Sequence, residues 1–233
     1  MKRSQRNTTK QAEPREVYEA PLREVVDRSP IVGMTENQRR YISAIETFPL
    51  VFATGSPGSG KTYLSTCLAA KALQEKKVSR IIITRPAVEC EEELGFLPGE
   101  VEDKFNVYLT PLREVLDRRL GKNFVDYLIK EGRIVAKPLA YMRGSTHRDA
   151  FVILDEAQNV SPKQMLMFLT RIGENCQVVV TGDETQSDIR GLSGLSDAIS
   201  RVSYIPSVKV IRFTRDDVVR SGLVGEILEA YGQ

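Results

Sequence analysis

The stretch Gly55-Ser56-Pro57-Gly58-Ser59-Gly60-Lys61-Thr62 constrains this chain more than any other. An apolar run at 50–54 leads into it and a run of helix formers leads out. A strand that turns through glycines into a helix aims backbone N–H groups and the positive end of the helix at one point, a cradle for phosphate. The spacing Gly-x-x-x-x-Gly-Lys-Ser/Thr adds a lysine that reaches the β- and γ-phosphates of a nucleotide, and a hydroxyl for Mg2+. Lys61 and Thr62 stand at those positions. The expected nucleotide-binding stretch is Gly55, Ser56, Pro57, Gly58, Ser59, Gly60, Lys61, Thr62 and the adjoining Tyr63. A glycine-rich turn without a ligand would match the letters, but would not need a strand before it and a helix after it.

The rest of the chain supplies the matching architecture. Short runs rich in Val, Ile and Phe recur at 50–54, 81–84, 134–136, 151–154, 178–181 and 208–213. They lack strict alternation, which suits strands buried on both faces of a parallel sheet. Helix-length segments lie between them: 36–47 behind a Thr35 cap, 61–76, and 162–172 behind Ser161 with Pro162 at the first helical position. The expected class is α/β, with a mostly parallel central sheet flanked by helices. Residues 1–30 are polar, with Lys2, Arg3, Arg6 and Lys10 ahead of any acid, and read as a basic flexible arm. The domain then runs over 31–233, with a helical insertion at about 89–133 that contains no clear strand.

Charge and cysteines narrow the function class. With 33 Lys and Arg against 31 Asp and Glu, the net charge is +2, so the chain is not a strongly basic protein held to its partner by phosphate contacts alone. The three cysteines, Cys67, Cys90 and Cys176, and the single His147 share no metal-ligand spacing. At this length and cysteine density a reducing, cytoplasmic compartment is expected. No apolar run approaches the ~20 residues needed to span a bilayer, so no membrane partner is expected. Cys67 and the stretch Met165-Leu166-Met167-Phe168 read as core, and His147 as a surface-loop residue.

Three further motifs carry chemistry. The run 151–154 ends in Asp155 and Glu156, the place where a carboxylate orients Mg2+ in P-loop proteins. Asp155 with Thr62 is the expected metal pair, and Glu156 the residue that polarises an attacking water. The run 178–181 ends in Gly182-Asp183-Glu184-Thr185-Gln186; Gln186, or Asp183, would lie near the γ-phosphate, and an ordinary strand-to-loop junction is the competing reading. Last, Arg215 and Arg220 flank Asp216 and Asp217. Either arginine could neutralise charge on the γ-phosphate as a finger, from the same or a neighbouring subunit, or pair locally with those acids.

These blocks, in this order, resemble the PhoH family of P-loop ATPases over nearly everything after residue 31. The specific stretches are Leu94-Gly95-Phe96-Leu97-Pro98-Gly99 and Asp155-Glu156-Ala157-Gln158-Asn159, supported by Thr84-Arg85-Pro86, Tyr141-Met142-Arg143-Gly144 and Asp217-Val218-Val219-Arg220. Ser145 and Ser221 depart from the family's usual basic residue and histidine. The length suggests the compact, single-domain, phage-type version. The family is similar to the first RecA-like domain of superfamily 1 helicases, which implies a RecA-like P-loop NTPase. By that similarity Gln38 would bond the adenine edge and Gln186 would sense the γ-phosphate. ATP and Mg2+ are the expected ligands, and the resemblance implies a hexameric ring of identical chains. RNA or single-stranded DNA is the expected partner if the basic arm and the region of Arg85 and Arg143 meet single strands. The catalytic set is then Lys61, Glu156, Gln186, Arg220 and Arg215. A nucleotide-dependent assembly switch without nucleic-acid work is the other functional class the residues allow.

Overall fold

The structure is a computed structural model and describes residues 26–86, 110–186 and 191–219. The chain enters through α1 (Glu36–Thr47), β1 (Leu50–Thr54) and α2 (Lys61–Gln74), then β2 (Arg80–Arg85). Two helices follow, α3 (Thr110–Leu120) and α4 (Lys122–Lys130), then β3 (Ile134–Pro138) and β4 (Ala150–Leu154). Next come α5 (Pro162–Leu169), β5 (Cys176–Gly182), α6 (Gly194–Val202) and β6 (Val208–Arg212). The strands form a 6-stranded sheet in the order β3-β2-β4-β5-β1-β6. Every pairing is parallel. All strand ends that follow the chain direction therefore lie along one edge of the sheet, and β5 separates the strand of the phosphate loop from the strand of Asp155.

Both faces of the sheet are covered, which explains why the strands do not alternate. Val51 and Ala53 of β1 face one core with α1, α2, α3 and α4, while Phe52 faces the other with α5 and α6. Helix starts follow local chemistry. The Thr35 and Ser161 hydroxyls each accept the N–H of a glutamine three residues on, and the Gln38 and Gln164 side chains return the bond, two complete capping boxes. The helix of 61–76 stops earlier than expected, at Gln74, because Lys76 turns to a φ of 57°. The helix from Pro162 ends at Leu169 rather than at 172.

Some expectations change. His147 is not a surface-loop residue: it is buried and pairs in parallel with Ile172. Burial, with Lys137 and Arg80 nearby, lowers its pKa below the ordinary value. Met165 and Phe168 are buried, as expected of core, but Leu166 between them is exposed. The helix α6 was not legible, because its start lies in a Ser-Gly stretch; the Ser193 hydroxyl caps it by accepting the Leu195 N–H. Residues 1–25 of the arm, the LGFLPG stretch and Cys90 lie outside the described residues. No helix among the described residues is long and apolar enough to cross a membrane.

Candidate nucleotide-binding site

The phosphate loop leaves β1 at Thr54 and enters α2 at Lys61. Gly55 holds a φ of 129°, and a Cβ there would sit 2.2 Å from the Phe213 carbonyl oxygen. Only a glycine lets the loop pass this close to the end of β6. Phe213 is itself pinned edge-on against Tyr41, with ring centroids 5.4 Å apart, and the Tyr41 hydroxyl donates to the Lys61 carbonyl at 3.2 Å. Gly60 caps α2 in the left-handed region with φ 85°. Gln38 lies behind this turn: its amide nitrogen donates to the Ser59 carbonyl at 3.1 Å, and its amide oxygen accepts the Met34 N–H at 2.7 Å. Gln38 thus ties the start of α1 to the phosphate loop.

Lys61 is folded back onto its own loop. Its ammonium donates to the Gly55 and Ser56 carbonyls at 2.5 and 2.8 Å and to the Ser59 hydroxyl at 3.2 Å. Burial pushes its pKa down, and the carboxylates of Asp183, Asp155 and Glu156 pull it part of the way back. The neighbouring Thr62 hydroxyl donates to Asp155 Oδ1 at 2.9 Å. Thr181, at the end of β5, donates to the same oxygen at 2.6 Å. The other oxygen, Oδ2, takes Arg85 Nε at 3.1 Å and Nη2 at 2.6 Å. Three adjacent strands, β2, β4 and β5, and the first turn of α2 therefore converge on one carboxylate.

Glu156 follows in a left-handed conformation, φ 55°. That turn swings its side chain away from the strand line. The Gln158 side chain donates to Glu156 Oε2 at 2.8 Å, and its amide oxygen accepts the Asp183 N–H at 3.1 Å. Gln158 is thus a brace between the ends of β4 and β5. Gly182 permits it, because a Cβ there would come within 2.8 Å of the Gln158 amide oxygen. Pro57, Gly58, Gly60, Lys61, Thr62 and Tyr63 line one side of a cleft of about 320 Å3, and Asp155, Glu156, Gly182, Asp183 and Gln186 the other. Larger hollows exist, one of about 800 Å3 between α1 and β6 and one of about 600 Å3 at the opposite edge of the sheet. Neither gathers a phosphate cradle and carboxylates. Sequence comparison agrees with the cleft: a family model described as PhoH-like protein matches residues 30–232.

The chain belongs to the PhoH-like protein family. Protein PhoH of Escherichia coli (strain K12) is 51% identical over 209 residues, 88% of this chain and 59% of that protein. The PhoH-like protein of Mycobacterium tuberculosis (strain ATCC 25618 / H37Rv) is 49% identical over 85% of this chain and 57% of its own length. The chain thus spans somewhat more than half of these relatives. Among solved structures it is distantly similar to the Pif1 helicase from Candida albicans, at 15% identity and a TM-score of 0.41 over 79% of this chain and 40% of that one. Its own sheet order and phosphate loop make it a RecA-like P-loop NTPase fold.

Within this PhoH-like chain the structure brings most of the expected residues together and leaves some apart. Lys61, Thr62, Tyr63, Asp155, Glu156 and Gln186 share the cleft, together with Pro57, Gly58 and Gly60. Gly55, Ser56 and Ser59 sit beneath it, holding Lys61. Arg215 is exposed in a short 3-10 turn (Arg215–Asp217) past β6 and does not line the cleft. Arg220 lies outside the described residues. Among the described residues Arg215 does not pair with Asp217. That carboxylate is buried and instead accepts from Thr35 Oγ1 at 2.6 Å, Asn37 Nδ2 at 2.8 Å and the Thr214 N–H at 2.8 Å. Burial alone would raise its pKa, but these donors hold it below the ordinary carboxylate value. Arg85, in the region expected to meet single strands, pairs here with Asp155. The Gln158 brace was missed, although it stands inside the quoted Asp-Glu-Ala-Gln-Asn stretch.

Proposed function

We propose that this chain is an Mg2+-dependent ATPase. The observation that carries the reading is the junction of Thr62 and Asp155 at the head of the phosphate-loop helix, with Glu156 lining the same cleft. A hydroxyl and a carboxylate are hard oxygen donors of the kind Mg2+ takes beside nucleotide phosphates. Held by Thr62 and Asp155, Mg2+ would neutralise charge on the β- and γ-phosphates. Lys61 leaves its loop carbonyls for the phosphate oxygens. Glu156 accepts a proton from a water as that water's oxygen bonds to the γ-phosphorus and the bond to the bridging oxygen of ADP breaks. Gln158 holds Glu156 at its angle, and Gln186 lies where a γ-phosphate oxygen or the water would be. Gln38 marks the nucleobase end. Its amide is committed to the loop and to the start of α1, so contact with adenine requires a change of partner.

The test is a pair of variants. Glu156→Gln keeps ATP and Mg2+ binding and lowers turnover about 100-fold or more, since the amide cannot accept the proton. Asp155→Asn weakens the Mg2+-dependent part of binding. Loss of nucleotide affinity in Glu156→Gln with none in Asp155→Asn would reverse the roles.

Around this core we place the wider reading. The ATPase couples hydrolysis to remodelling of RNA or single-stranded DNA, supported by exposed Arg143, which follows the end of β3, and by the basic residues of the arm at 1–30. Identical chains assemble head to tail into a hexameric ring, so that an arginine crosses to a neighbour's phosphate loop. Arg215 supports this by being exposed yet outside its own cleft; Arg220 is the other finger. Buried, free Cys67 and Cys176 suit a cytoplasmic location. An assembly switch without motor work remains the second reading. Stimulation of turnover by single-stranded RNA or DNA, falling steeply with salt, separates the two.

A further inference from the structure

We infer that Arg85 is an internal counter-cation to Asp155 and must give way for a divalent ion to bind there. The inference rests on the proposed metal role of Asp155. An ionised carboxylate offers about four lone-pair positions. Here four donors fill them: the hydroxyls of Thr62 and Thr181 on Oδ1, and Arg85 Nε and Nη2 on Oδ2. No position is left for a metal ion or for a water bound to one.

The arrangement follows from the sheet. Strands β2 and β4 are parallel neighbours with Thr84 opposite Leu154, and the Asp155 N–H donates to the Thr84 carbonyl at 2.9 Å. The next residue on each strand is Arg85 and Asp155, so the guanidinium and the carboxylate meet side by side. Their side chains are 15% and 3% exposed. Burying a carboxylate that deep is costly unless it is paired and hydrogen-bonded. Lys61, the other nearby cation, is committed to the loop carbonyls. Arg85 supplies that charge through two N–H groups, both on Oδ2, a charge-assisted contact.

Loading then exchanges one cation for another. Asp155 would keep a counter-charge, Thr62 and Asp155 would hold the ion, and the Arg85 guanidinium would be freed at the carboxyl-terminal end of β2. Because the guanidinium and the divalent ion compete for the same oxygen, whatever draws Arg85 away raises metal affinity, and bound metal frees Arg85 by the same factor.

The experiment titrates Mg2+ against binding of a fluorescent ADP analogue to the whole chain, for the native protein, Arg85→Gln and Arg85→Lys. Arg85→Gln is expected to need about tenfold less Mg2+ for half-maximal binding, with Arg85→Lys in between because a single ammonium loses the two-pronged contact. Without Mg2+ or nucleotide, Arg85→Gln melts at a lower temperature than the native protein, and Mg2+ alone narrows the gap. Should Arg85→Gln fail to fold, the smaller shift of Arg85→Lys decides. An unchanged or higher Mg2+ requirement in the folded variants overturns the exchange while leaving the metal site standing. A native protein whose nucleotide binding ignores Mg2+ overturns the metal site itself, and the exchange with it.

Discussion

The two edges of the sheet solve the same problem in opposite ways. At the edge where strands begin, mostly exposed groups are satisfied by short neutral donors. Asn175 donates to the Lys77 carbonyl at 3.2 Å and to Asp149 Oδ1 at 2.8 Å, the Ser79 N–H and hydroxyl both donate to the Asp149 carbonyl, and Cys176 donates to the His147 carbonyl. At the edge where strands end, full charges are drawn out of water and satisfy one another or the loop: Lys61 on carbonyls, Arg85 on Asp155, and Glu156 under the Gln158 amide. Neutral bonds of the first kind serve stability alone. Buried charges are a costly route to stability, so their concentration on one edge indicates chemistry there.

That contrast can be broken by substitution. The largest effect is expected at Lys61. Lys61→Ala lowers ATP turnover about 1000-fold, the cost of losing a charged group aimed at the transferring phosphate. The thermal melt moves little, because the loop carbonyls it leaves can turn to water. A large loss of stability with turnover retained would make Lys61 a structural residue. If the finger acts across a ring, Lys61→Ala chains mixed with Arg220→Ala or Arg215→Ala chains recover part of the activity. Mixed rings that stay inactive rule out the crossing arginine.

Asp217 sharpens the comparison, because it is a buried charge at the site-bearing edge with a structural job: it fastens the start of α1 to the end of β6. Asp217→Asn should cost about 1–2 kcal/mol at neutral pH. The native carboxyl titrates below its ordinary value, so its contribution is present above about pH 4 and is lost as pH falls through the lowered native value. The gap between native and variant melts therefore closes in acid. A gap that stays constant from pH 7 to below pH 3 would show that the charge is not what holds the joint.

The smallest effect is expected at the other edge. Asn175→Ala should cost about 1 kcal/mol, from two lost hydrogen bonds and a left-handed backbone that alanine tolerates less well, with φ 51°. Turnover should not change. A drop in kcat without loss of stability would mean that the two edges are coupled.

Much of this site could be read from the letters because its chemistry is local. Residues 55–62 are contiguous, and Asp155 and Glu156 end a recognisable strand. Gln158 and Arg85 were visible in quoted stretches, but their partners were not. The Gln158 contact depends on β5 lying beside β4, and the Arg85 contact on β2 lying on the other side with Thr84 opposite Leu154. The helix α6 escaped because a Ser-Gly start and a short apolar face resemble a loop until Leu195 and Ile199 are seen in the core.

By itself the sequence determined the class of fold, the phosphate loop, the two carboxylates and the family, since each depends on spacing along the chain. Strand order, and with it which charge meets which, was decided by the tertiary structure. Burying both faces of a parallel sheet places residues distant in sequence side by side, and only there must each buried charge find a counter-charge. That is why Asp155 could be singled out as a candidate metal carboxylate from its strand, while its pairing with Arg85 became apparent only in the folded chain.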